Sequence, residues 1–244
     1  MVGLRYYARQ ATSKRGAAMA LPGGQLCRCD LEARIGTYGA LADVLGGAAD
    51  EVQGAVVSLR RAGSWCSLAY FDDDAIQAAC AEAERAARDP HEVVRFLEER
   101  RAVIGHERFD PFMHRVSPCG ATYVTDKPED LLADLAALYG EAGYVVHYRV
   151  PCESHIAVEL DYMRFLLERV RAGDEEASKG AADFFVKHIS GWSLLFAVAF
   201  GDAVQHPISR CVALRLDRFL SCEENVVRHS VPSNCIQCRL AGAD

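Results

Sequence analysis

Ten cysteines and eight histidines are the residues of this chain best able to do chemistry. Cys27-x-Cys29 near one end and Cys235-x-x-Cys238 near the other have spacings found in thiolate metal sites. Brought together, they would supply four thiolates, a set that suits zinc or an iron–sulfur cluster. A lone C-x-x-C is a weak signal. The expectation is therefore no metal and no cofactor, with a metal- or iron–sulfur-binding redox accessory protein using these tail cysteines as an alternative. The remaining cysteines (Cys66, Cys80, Cys119, Cys152, Cys211 and Cys222) mostly lie among apolar residues. A buried free cysteine packs as a small hydrophobe, and in a long chain with no evident export signal reduced thiols are expected.

Two other stretches place polar groups at helical spacing. In Pro151-Cys152-Glu153-Ser154-His155, followed by Ile156 to Met163, Ser154 is positioned to cap a helix. His155 then takes the first helical position, and Glu159, four residues on, shares its face. On composition this is an amphipathic helix with a surface His–Glu pair. In Phe184 to Trp192, the residues Phe185, His188 and Trp192 fall at i, i+3 and i+7 and line one helical face. Composition favours a core helix whose histidine has a buried partner. There is no G-x-x-x-x-G-K-[ST] loop and no G-x-G-x-x-G after a strand. Scattered histidines and glutamates do not assign acid–base roles, so a non-catalytic protein is expected.

The elements that must position these residues read as helices. Leu31, Ile35, Tyr38, Leu41, Ala42 and Leu45 recur at spacings of three and four until Gly46-Gly47. Further helices are expected over Asp50–Ala62, from a cap at Asp72–Asp74 to Ala87, and over His91–Ile104. Asp89-Pro90 supplies the start of the last of these. Phe109–Val124, with Pro111, Pro118 and Gly120, reads as a long loop. A helix opened by Asp126-Lys127-Pro128 runs to Ala142 and is closed by Gly143. Tyr144–Val150 alternates like a strand but has no second strand to pair with, so it reads as an extended connector. Helices resume over His155–Ala172, Ala177–Phe200 and Ile208–Leu220, with a short turn after Ser221. The fold class is all-α: a single bundle of about eight to ten helices over residues 31–229, with a candidate hinge near 143–155. Tails are expected at 1–30 and 230–244.

The formal net charge of −7 argues against a nucleic-acid backbone as the main partner and is compatible with one carrying a cationic segment. The longest uncharged apolar-rich run, near Ile189–Gly201, is too short to span a bilayer. The basic N-terminus lacks a convincing apolar core for a secretory signal. A cytoplasmic protein without membrane insertion is expected.

The two polar stretches, in this order and some thirty residues apart, resemble the TorD/DmsD/NarJ-like family of redox-enzyme maturation chaperones. That family shows a Pro-rich Asp-His element opening a helix, then Glu-Leu and an aromatic-Met pair. The matching residues here are Pro151, His155, Glu159, Leu160, Tyr162 and Met163. Its next helix carries Phe, His-Leu and Trp, similar to Phe185, His188-Ile189 and Trp192. Arg34–Leu45, Phe109–Tyr123 and Leu135–Gly143 echo other family segments, so the resemblance covers roughly residues 31–220. The family's Asp before His is Ser154 here, which leaves Glu153 or Glu159 to face a basic ligand. The loop at Phe109–Tyr123 is also short for the family.

The resemblance implies a TorD-like helical chaperone. It would bind the immature catalytic subunit of a molybdopterin oxidoreductase through an N-terminal twin-arginine signal peptide. The residues it implies for binding are Tyr123, Pro151, Glu153, Ser154, His155, Glu159, Tyr162, Phe185, His188 and Trp192. A generic helical interaction module with an unrelated client predicts the same fold.

Overall fold

The computed structural model describes residues 28–62, 74–105, 115–150 and 152–229. Among them are ten α-helices and one π-helical turn, with no strand. The helices are α1 (Arg28–Gly46), α2 (Ala49–Ala62), α3 (Asp74–Ala87), α4 (Pro90–Ile104) and α5 (Ala121–Val124). They continue as α6 (Pro128–Ala142), α7 (Ile156–Arg171), α8 (Glu175–Phe184), α9 (Ser193–Ala203) and α10 (Pro207–His229), with the π-helical turn Phe185–Ile189 following α8 directly. The architecture is the TorD-like all-helical one expected from the sequence. The tail cysteines Cys27, Cys235 and Cys238, together with Cys66 and Pro151, lie outside the described residues.

Helix α1 is buried nearly all round, as a helix apolar on every face must be. It packs chiefly on α7 and α2. Gly46 permits a close approach: a Cβ there would stand 2.7 Å from Ala157 Cβ and 3.1 Å from the Tyr148 ring. The polar groups of α1 are matched from neighbouring helices. Arg34 Nη2 meets Glu223 Oε2 at 2.6 Å, and the Tyr38 hydroxyl donates to the same oxygen at 2.9 Å. Arg100 on α4 donates to the carbonyls of Val44 (2.7 Å) and Gly47 (2.9 Å), satisfying the end of α1. Burial pulls the Arg100 guanidinium down to about 10, still charged at neutral pH.

Local starts and stops follow the residue chemistry. Asp89 accepts the His91 N–H at the start of α4, with Pro90 in the first turn. Gly143, left-handed at φ 72°, closes α6. The connector after it is anchored by two hydroxyls: Tyr144 donates to Asp161 (2.7 Å) and Tyr148 to Asp43 (2.7 Å). Its outward residue Val145 is 74% exposed.

Several expectations need correction. Helix α1 starts inside the predicted N-terminal tail, and α5 forms inside the predicted loop. The single helix expected over Ala177–Phe200 is broken: α8 passes into the π-helical turn, and Ser190–Trp192 separates that turn from α9. The last helix continues to His229 instead of ending at Leu220, because Cys222, Glu223 and Val227 are all buried. Among the described residues no single helix is long and apolar enough to cross a membrane. The bent pair Glu175–Ile189 and Ser193–Ala203 reaches that length and composition together. It buries Phe185, Ile189, Phe196 and Phe200 in the protein core.

Candidate functional site

Pro118–Gly120 and Ser154–Ile156 meet edge to edge at the start of α7. Cys119 and His155 form an isolated antiparallel bridge. Gly120 N–H donates to the Ser154 carbonyl (2.8 Å), and Ile156 N–H donates to that of Pro118 (2.8 Å). The same juxtaposition brings Cys119 and Cys152 into a disulfide. This corrects the expectation of reduced thiols at these two positions: backbone pairing of the two loops sets their sulfurs side by side.

The residue that caps α7 is His155, not Ser154. His155 has extended backbone (φ −68°, ψ 137°), and its Nδ1 accepts the Ala157 N–H at 3.2 Å. Ser154 is displaced by one position and serves α5 instead, its hydroxyl accepting the Ala121 N–H at 3.3 Å. Both are buried. The expected surface His–Glu pair is likewise absent: His155 and Glu159 are each 1% exposed. They face the protein interior because α7 packs against both α1 and α8.

Glu159 and Trp192 form the floor of the site. The Trp192 indole N–H donates to the His188 carbonyl at 2.5 Å and also lies beside the Glu159 carboxyl. One N–H cannot fully serve both acceptors, and Glu159 Oε2 has no hydrogen-bond partner. Burial raises the Glu159 carboxyl well above the usual carboxylate range, against a smaller lowering by the indole N–H. Burial thus favours the protonated form of Glu159. Tyr123 stacks on Trp192, with ring centroids 5.4 Å apart and planes 23° from parallel. Its hydroxyl donates to the Ser117 carbonyl at 3.0 Å.

The π-helical turn alters the face expected from Phe185, His188 and Trp192. Phe185 and Trp192 point into the core, each 1% exposed. The wider turn swings His188 onto Phe184 (centroids 4.8 Å apart, 27° from parallel), so the three side chains do not form one regular stripe. His188 is half-buried, and burial lowers its imidazole below the ordinary value, with Lys187 adding to this and Asp134 opposing it. Tyr162 is buried among Tyr139, Tyr144, Phe165 and Phe184. Glu153 is half-buried, and its carbonyl accepts the Tyr139 hydroxyl at 3.1 Å.

Sequence reasoning missed Gly120, Tyr139 and Asp161 as parts of this assembly. Gly120, two residues after Pro118, was a legible clue, since glycine in such a loop marks a close approach. Asp161 gave no clue of its own. It is 0% exposed and binds Tyr144, Arg164 (2.7 Å) and His147 (3.1 Å). Among the described residues no group of three or more His, Cys, Asp or Glu side chains could hold a metal ion. A groove between α4 and the start of α10, lined by Glu92, Arg95, Glu99 and His206, involves none of these site residues. Its Glu99 carboxylate accepts the Gln205 and His206 N–H groups.

An all-helical fold, with aromatic residues packed around a buried carboxyl at a loop junction, defines the class as a TorD-like helical protein. Over residues 73–198, just over half of the chain, the sequence matches the family described as Nitrate reductase delta subunit, and the chain belongs to that family. The family comprises non-catalytic NarJ/TorD-type chaperones of redox-enzyme maturation. The matched span runs from the residue before α3 into α9 and contains the whole of this site. No curated protein and no solved structure matches the chain.

Proposed function

We propose that this chain is a cytoplasmic chaperone that binds the immature catalytic subunit of a molybdopterin oxidoreductase at its N-terminal twin-arginine signal peptide. In this reading it assists cofactor insertion and assembly and delays export until both are complete. Family membership supports the chaperone role and the kind of client. The peptide-binding part rests on one observation: the junction of α5, the connector and the π-helical turn combines exposed apolar side chains with carboxylates. Val124, next to Tyr123, is 48% exposed; Val186, two residues before His188, is 38% exposed. Asp134 is close enough to His188 to influence its titration, and half-buried Glu153 is held by its backbone carbonyl, which accepts the Tyr139 hydroxyl. A twin-arginine leader offers two guanidinium groups followed by an apolar segment. Carboxylates pair with guanidinium in bidentate fashion, and an apolar groove takes the segment behind it.

The roles divide by burial. Ser154, His155, Glu159, Tyr162, Phe185 and Trp192 shape the site from beneath, while Tyr123, Glu153 and His188 are within a ligand's reach. The test is calorimetric titration of the full chain with a synthetic leader, against the same peptide with both arginines changed to lysine. Tyr123→Ala and Glu153→Gln are each expected to weaken binding about tenfold, the equivalent of about 1.4 kcal/mol. The lysine peptide is expected to lose the part that depends on Glu153. Unchanged affinity in both variants moves the site elsewhere. Failure of an anaerobic pull-down to recover a molybdoenzyme subunit, from cells that express one, removes the client assignment.

A further inference from the structure

Away from the junction, α3 and α10 bring two thiols together in the core. Cys80 Sγ and Cys211 Sγ are 3.3 Å apart, and both side chains are buried. Arg215, one helical turn beyond Cys211, donates from Nε to Cys80 Sγ at 3.1 Å. Cys80 thus accepts from the guanidinium on one side and shares a proton with Cys211 on the other. Either sulfur can donate in that contact; the guanidinium beside Cys80 favours the state in which Cys80 accepts from both sides as a thiolate, the nucleophilic form.

We propose that Cys80 and Cys211 are a reactive dithiol that hydroperoxides oxidise to a reversible disulfide, with Cys80 as the attacking sulfur and Cys211 as the resolving one. The Cys80 thiolate attacks one oxygen of hydrogen peroxide: an S–O bond forms, the O–O bond breaks and hydroxide leaves. The hydroxide takes the Cys211 proton and becomes water. The Cys211 sulfur then attacks Cys80: the S–S bond forms, the S–O bond breaks, and the departing hydroxyl leaves as a second water after taking up the proton released when Cys80 ionised. Two thiols are oxidised by two electrons, and one peroxide is reduced to two waters. The sulfurs need close by only about 1 Å to reach bonding distance.

The electrostatics of the pair agree with this assignment. The hydrogen bond with Cys211, followed by the charge and hydrogen bond of Arg215, pulls the Cys80 thiol downward against burial. Cys211 is driven upward by the same shared proton and by burial, so it keeps its hydrogen. Arg60, which also faces Cys80, adds positive charge and is itself paired with Glu84. Cys222, on the same helix as Cys211, is an internal control: burial pushes its thiol up to about 11, and it is free.

The test uses the full chain, reduced and then freed of reductant. It is treated with a small excess of hydrogen peroxide, blocked with maleimide and digested without reduction for mass spectrometry. A peptide pair joining Cys80 to Cys211 is expected beside the Cys119–Cys152 pair that reduction also opens, along with a rise in melting temperature in Cys119→Ser/Cys152→Ser, where only the first bond can form and ties α3 to α10 across 131 residues of separation. Dithiothreitol is expected to reverse both. In Cys211→Ser, dimedone is expected to trap a sulfenic acid on Cys80. In the unoxidised wild type, alkylation of Cys80 is expected to be at least tenfold faster than that of Cys222 at pH 7. Recovery of Cys80 and Cys211 as free thiols after peroxide treatment overturns the proposal, as does oxidation of Cys222 at the same rate. Both readouts come from the wild type, so a folding defect in the serine variant does not affect them.

Discussion

Gly120 lies directly against the Trp192 indole, where a Cβ would stand 2.6 Å from Nε1 and 2.7 Å from Cε2. Real side chains do not approach that closely, and the obstacle is a rigid, fully buried ring. The backbone on either side is also fixed, since Gly120 N–H is bound to Ser154 and Ala121 N–H to the Ser154 hydroxyl. Gly120→Ala must therefore push Trp192 off Tyr123 or pull the loop away from α7. Overpacking of this kind costs about 1–3 kcal/mol. A lowered urea midpoint with a changed tryptophan emission is the expected result. An alanine variant with wild-type stability and emission shows that the loop can give way freely, and that this contact does not set the geometry of the site.

The helical class and most helix bounds were legible because they depend on local chemistry. Asp89-Pro90 starts α4 and Gly143 ends α6 by their own backbone preferences, whatever surrounds them. The site was legible as a set of residue types but not as a geometry. Ser154 and His155 both suit a cap, and pairing with the distant Cys119–Gly120 loop decides between them. Glu159 looked like a surface partner because helical spacing says which residues share a face and not which face is covered. The break at Ser190–Trp192 has no proline and only Gly191 as a signal. It arises where Trp192 turns back to bond the His188 carbonyl. The Cys80–Cys211 contact depends on how α3 and α10 pack, which no local pattern encodes.

Glu159 makes stability depend on pH in a direction opposite to most paired carboxylates. The folded protein holds its proton more tightly than the unfolded chain, whose carboxyl titrates near 4.5. The resulting stabilisation is complete below that pH and is lost as pH rises toward the folded value. Over that window stability falls by up to about 1.4 kcal/mol per pH unit. Glu159→Gln keeps the size of the side chain and cannot ionise. Urea denaturation at pH 5, 6.5 and 8 is expected to show the variant gaining on the wild type as pH rises above 5. Parallel stability curves for the two proteins would mean that folding does not raise the Glu159 carboxyl.

Arg34 and Glu223 tie α1, which begins the described fold, to the last helix, and both lie outside the span matched by the family. Their side chains are 3% and 1% exposed, so neither charge is screened by water. Burial and the adjacent carboxylate together push the Tyr38 hydroxyl well above its usual range, so Tyr38 remains a neutral donor to Glu223. Removing the carboxylate as Glu223→Gln takes the anionic partner from a buried guanidinium, which costs about 3–5 kcal/mol. Tyr38→Phe removes one hydrogen bond to a charged group, about 1.5–3 kcal/mol. The double change Arg34→Met with Glu223→Leu removes both charges and is expected to recover much of the loss seen in Glu223→Gln, because neither ion then needs desolvation. Chemical denaturation of the three variants checks this order. If the double variant is the least stable, the pair contributes more by attraction than it costs in burial, and α10 is held to α1 chiefly by charge.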